Sequence, residues 1–123
     1  MLLRFFSIFL LIVLALGCNR TSEDTNTYFG GEIINPKEDF IVLLNANRVI
    51  DTFYLDQNNR FLEKLKISKE ALYYFQHGSE NQYVYIEPQD SILIRLNTWD
   101  FDESLVFSGK GGERNNMLLN CFL

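Results

Sequence analysis

Few side chains in this chain could carry chemistry, and the first is a thiol. Cys18 follows Leu14-Ala15-Leu16-Gly17, an apolar stretch closed by a small residue. A thiol in that setting is a target for covalent modification, since the thiolate is the reactive species. The only histidine, His77, lies in Gln76-His77-Gly78-Ser79-Glu80. Nucleophilic catalysis needs a nucleophile, a base and an orienting group that converge in space. Neighbours on one reversal do not converge, so His77 is read as solvent-facing or structurally bonded. Asp100, Asp102 and Glu103 cluster, with Asp90 not far in sequence. They lack the turn glycine and terminal Glu of an EF-hand loop, and an acidic solvated loop is expected there. Gly109-Lys110-Gly111-Gly112 precedes a helical pattern, but a Walker loop needs GxxxxGK[ST]. Lys110 comes before the last glycines and no Ser or Thr follows, so these glycines are read as permitting positive φ. Cys121, between Asn120 and Phe122, reads as a buried, inert thiol. No CxxC is present, so the chain cannot itself carry dithiol exchange. The sequence therefore offers no catalytic set, metal site or cofactor site, and the chain is not read as an enzyme.

Composition narrows the partners. The 123 residues hold 11 Lys and Arg against 16 Asp and Glu, a formal charge of −5. The densest basic group, Lys64, Lys66 and Lys69, has the spacing of a solvated strand face. Nucleic-acid binding starts from a larger basic patch, so nucleic acid is not an expected partner. Tyr73, Tyr74, Phe75, Tyr83, Tyr85, Trp99 and Phe101 leave a glycan-binding surface open, although aromatics on paired strands commonly pack against cross-strand neighbours.

The N-terminus has the layout of an export signal. Arg4 precedes residues 5–16, which are apolar apart from Ser7. A bilayer-spanning helix needs about 20 apolar residues, so residues 1–17 are read as a signal peptide and its helix as removable. Leu14-Ala15-Leu16-Gly17-Cys18 resembles the lipobox of bacterial lipoproteins. That family prefers Leu three residues before the cysteine and a small residue two before, where this chain has Ala15 and Leu16. The resemblance implies that Cys18 takes a diacylglycerol, that cleavage precedes it, and that the new amino terminus is acylated. Several acyl chains, at roughly 0.8 kcal/mol per buried methylene, hold a protein on a membrane where one would be marginal. A lipid anchor on the periplasmic or cell-surface side of a bacterial membrane is the expected location. An uncleaved anchor helix and an ordinary secretory signal are the alternatives, and both also export the chain.

Residues 18–27 are polar and read as a flexible tether. From residue 28 to 108 the apolar pattern has period two, with turn chemistry at Asn35-Pro36, Asn45-Ala46-Asn47, Asp56-Gln57-Asn58-Asn59, Gly78-Ser79 and Pro88-Gln89-Asp90. Ile92, Ile94 and Leu96 make the clearest strand face. Some seven or eight short strands without long crossovers predict an all-β fold, an antiparallel β-sandwich, with a barrel as the alternative. Residues 109–123 read as the start of a short C-terminal helix with Met117, Leu118, Cys121 and Phe122 on its apolar face.

One further resemblance covers residues 28–123. The run from Tyr83-Val84-Tyr85-Ile86-Glu87-Pro88-Gln89-Asp90-Ser91-Ile92 to Phe107-Ser108-Gly109-Lys110-Gly111-Gly112-Glu113-Arg114-Asn115-Asn116 resembles the β-rich N-terminal domain that precedes TlpA-like thioredoxin modules in bacterial envelope lipoproteins. That family shows a PGDS turn, then F.G.G...N and a helical segment; Gln89 stands where it has Gly. The resemblance implies a noncatalytic accessory domain whose redox partner begins beyond Leu123, and it transfers no catalytic residue. A free-standing surface lipoprotein that binds glycan or protein is the alternative.

Overall fold

The computed structural model describes residue 22 and residues 24–122. The signal segment and Cys18 lie outside the described residues. Eight strands follow in order: β1 (Thr27–Ile34), β2 (Phe40–Asn45), β3 (Arg48–Tyr54), β4 (Arg60–Leu65), β5 (Ala71–His77), β6 (Glu80–Ile86), β7 (Ser91–Asn97) and β8 (Val106–Lys110). They form two four-stranded sheets, ordered β4-β1-β7-β8 and β3-β2-β5-β6. A 3₁₀ turn (Thr98–Asp100) and the one-turn helix α1 (Phe101–Ser104) link β7 to β8, and α2 (Gly112–Phe122) follows β8. Among the described residues no helix is long and apolar enough to cross a membrane.

Period-two patterning accounts for the layers. In β7, Ile92, Ile94 and Leu96 are buried while Leu93 and Arg95 are exposed, and the other sheet answers with Ile41 and Leu43, Tyr73 and Phe75, and Val84 and Ile86. Phe29 of β1 ties the sheets together. Its ring lies 6.0 Å from both Phe53 and Phe75 of the opposite sheet and 5.4 Å from Phe61 of its own. Phe53 and Phe61 stack at 5.6 Å. Such aromatic contacts add about 0.5–1.5 kcal/mol each beyond the area they bury. Two sheets sharing one core make a β-sandwich.

The sheets are not wholly antiparallel. β1 pairs with β4 antiparallel but with β7 parallel, in register from Tyr28↔Ser91 to Ile34↔Asn97. A parallel pair needs a long crossover, and here strands β2 to β6 supply it, most of them in the other sheet. The segment Ser68-Lys69-Glu70 is a bend leading into β5.

Turn chemistry follows the residues. Ala46 and Asn47 both have positive φ (47° and 64°), the geometry of a two-residue type I′ hairpin. Pro88-Gln89 closes a reversal in which Asp90 N–H donates to the Glu87 carbonyl at 3.1 Å. Gln89 sits at φ 74°, the place where a type II turn favours Gly.

Candidate functional site

Asp90, Gly111, Arg114, Asn115 and Asn116 form one cluster around the start of α2. Asp90, 3% exposed, accepts from the Glu87 N–H at 2.8 Å and from Arg114 Nη2. Arg114 also pairs with Glu87 at 3.4 Å and lies 5.3 Å from the centre of the Tyr85 ring. A Cβ on Gly111, whose φ is 96°, would sit 2.7 Å from Asp90 Oδ2, so only glycine lets the chain pass this carboxylate. Asp90 thereby places a negative charge beside the positive end of α2. The glycine loop ahead of the helix thus packs against an Asp90–Arg114 ion pair.

Two consecutive amides then fix the helix. Asn115 Oδ1 accepts from the Tyr85 N–H at 2.7 Å and its Nδ2 donates to the Tyr85 carbonyl at 2.8 Å. Asn116 Oδ1 accepts from the Phe107 N–H and its Nδ2 donates to the Phe107 carbonyl, both at 2.8 Å. Tyr85 belongs to β6 and Phe107 to β8, the edge strands of the two sheets. Each amide replaces the partner strand that an edge lacks, so α2 closes one side of the sandwich.

This geometry corrects the helix reading. Gly112, Asn115 and Leu119 face inward, while Met117, Leu118 and Cys121 are exposed. The amides set the rotation of the helix, so that Leu119 turns inward and Met117, Leu118 and Cys121 turn outward; the Phe122 side chain lies outside the described residues. Cys121 is therefore an exposed thiol, not a buried one.

His77 is 2% exposed and structurally bonded. Its Nε2 accepts from the Lys37 N–H at 2.9 Å, so the proton resides on Nδ1, which donates to the Phe40 carbonyl at 2.9 Å. Both ring nitrogens hold backbone, and neither is left to serve Ser79 or Glu80. Asp102 accepts from Gln82 Nε2 at 3.1 Å. Asp100 and Glu103 are exposed, and among the described residues no three or more His, Cys, Asp or Glu converge as a metal site. Lys64, Lys66 and Lys69 are exposed. Near the start of β1, the Asp24 carboxyl is held below its ordinary range by the Asn26 N–H and then by the Tyr28 hydroxyl. The same contact raises the Tyr28 phenol.

The outward faces of the two sheets differ. On the β4-β1-β7-β8 sheet, Glu32 lies between Arg60 at 3.6 Å and Arg95 at 4.0 Å. The outward positions of the β3-β2-β5-β6 sheet carry no charge: Thr52 and Tyr54 on β3, Phe40, Val42 and Leu44 on β2, Leu72, Tyr74 and Gln76 on β5, and Asn81, Tyr83 and Tyr85 on β6. Where this face meets α2, Leu72, Tyr83, Tyr85, Leu118 and Leu119 line a groove of about 530 Å³, with Gln82 and Asn115 at its polar points. Sequence reasoning named several of these tyrosines but not the groove, because the groove depends on where α2 docks. Comparison with protein-family models, curated proteins and solved structures found no match to this chain.

Proposed function

We propose that this chain is the noncatalytic accessory domain of a thioredoxin-like thiol–disulfide oxidoreductase lipoprotein, held on an envelope membrane through lipidated Cys18. The observation that carries the reading is the Asn115-Asn116 clamp. The motif residues Asp90, Gly111 and Asn115, together with Arg114 and Asn116, work as one scaffold that holds α2 on the sandwich. The helix starts beside Asp90, at the end where β1 begins, and runs along β6 past Tyr85 toward Tyr83. A domain joined to such a helix has its orientation fixed relative to the sandwich. In this reading Cys18 is the anchor, residues 19–26 the spacer, and the sandwich the part that positions the redox domain.

The test is the coding frame past Leu123, which the proposal expects to continue into a domain containing CxxC. A stop codon directly after Leu123, or a continuation without CxxC, would contradict it. The uncharged tyrosine face favours the second reading, a surface lipoprotein with a ligand of its own.

A further inference from the structure

We propose that the outward face of the β3-β2-β5-β6 sheet is a binding platform for a neutral polysaccharide. The inference rests on this face alone and not on the tether or a redox neighbour.

Antiparallel sheets with one face in water normally set polar side chains outward. This face instead sets Val49, Leu44, Tyr74 and Tyr83 in one row across all four strands, in the register Val49↔Leu44↔Tyr74↔Tyr83, with Val49 and Tyr83 exposed, Tyr74 half-buried and Leu44 buried between its neighbours. The next row, about 7 Å along the strands, is Thr52, Val42, Gln76 and Asn81. Rings and amides therefore run side by side. Tyr83 is 55% exposed and Tyr54 68%, and Tyr74 and Tyr83 meet edge to face at 6.2 Å, with the Tyr74 hydroxyl donating to Asn47 Oδ1 at 3.1 Å.

The chemistry of the face selects its occupant. No charged side chain stands at these outward positions, although the whole chain carries −5 and the opposite sheet presents Glu32, Arg60 and Arg95. At the edge of the face the Arg114 guanidinium lies 5.3 Å from the centre of the Tyr85 ring but is paired with Glu87 and Asp90, so a charged polymer finds no free counter-charge at these outward positions. Bare hydrocarbon would cover phenols and amides without pairing them, at about 1–3 kcal/mol for each buried group left unsatisfied. A neutral sugar chain meets both demands, since its C–H faces pack on rings and its hydroxyls pair with phenols and amides. The groove against Leu118, at about 530 Å³, falls within the range of ligand pockets.

The test is affinity electrophoresis of the full chain, solubilised in a neutral detergent. The native gels contain hydroxyethyl cellulose, amylopectin or mannan, with polygalacturonate as the charged comparison. The expected result is retardation in at least one neutral gel. Tyr83→Ala should weaken it at least five-fold, Gln76→Ala should weaken it measurably, and Lys64→Ala on the other sheet should leave it unchanged. Free migration in all three neutral gels would overturn the proposal, as would equal retention of Tyr83→Ala or retention by polygalacturonate alone. So would a self-associated species in light scattering that Tyr83→Ala dissolves while neutral gels retain nothing, because the face would then be a protein interface.

Discussion

At the scale of single residues, the informative positions are those where a side chain meets an unusual demand. Gln89 takes φ 74°, a left-handed conformation that costs an L-residue roughly 1–2 kcal/mol, against roughly 0.5–1 kcal/mol of extra chain entropy for glycine. Gln89→Gly should therefore stabilise the fold by about 0.5–1 kcal/mol, read as a higher urea midpoint; a lower midpoint would contradict the turn assignment. Tyr73 carries a pH signature, because burial raises its phenol above the ordinary value. A raised value in the folded state means that stability is complete below about pH 10, where an unfolded tyrosine ionises. That stability is then lost as pH rises through the folded value. Urea midpoints between pH 8 and 11 should fall more steeply for the native chain than for Tyr73→Phe, and parallel curves would contradict the assignment. The turn at Pro88-Gln89-Asp90 was legible from its residue types. The partners of His77 were not, since Lys37 and Phe40 come to it from a loop and a strand some forty positions earlier in the chain.

At the scale of elements, the strands were legible because alternation records which side of each faces the core. Sheet membership and direction were not, because period two says nothing of which distant strand lies alongside. The parallel β1–β7 pair is the consequence. The C-terminal helix was legible in place but not in rotation. Its apolar stripe pointed to Met117, Leu118 and Cys121, whereas two amide clamps turn Asn115 and Leu119 inward. Replacing either amide leaves a backbone N–H and C=O without their partner. Asn115, buried and also donating to the Gly111 carbonyl at 2.9 Å, should cost about 2–3 kcal/mol as Asn115→Ala, and Asn116→Ala about 1–2 kcal/mol. Urea unfolding checks both, and losses below about 0.5 kcal/mol in each would mean that apolar packing alone holds α2.

At the scale of the whole molecule, the sandwich has two differently finished sides and two differently charged faces. One side is closed by α2; one face is charged and the other carries neutral rings and amides. The two ends also differ. Thr27, the Asp90 turn and the start of α2 share one end, tied by Gln89 N–H to Thr27 Oγ1 at 2.8 Å. Asn35 and Thr98, joined through the Thr98 hydroxyl, mark the other, where Trp99 is 73% exposed. Lipidation of Cys18 would attach the membrane at the first end, with Trp99 at the opposite end of the sandwich. That attachment depends on one covalent event at Cys18. The direct test is the mass of the N-terminal peptide of the mature protein isolated from cell membranes. Lipidation predicts a peptide that begins at Cys18 and carries the diacylglycerol and amino-terminal acyl mass; a peptide beginning at Met1, or an unmodified Cys18, would contradict it.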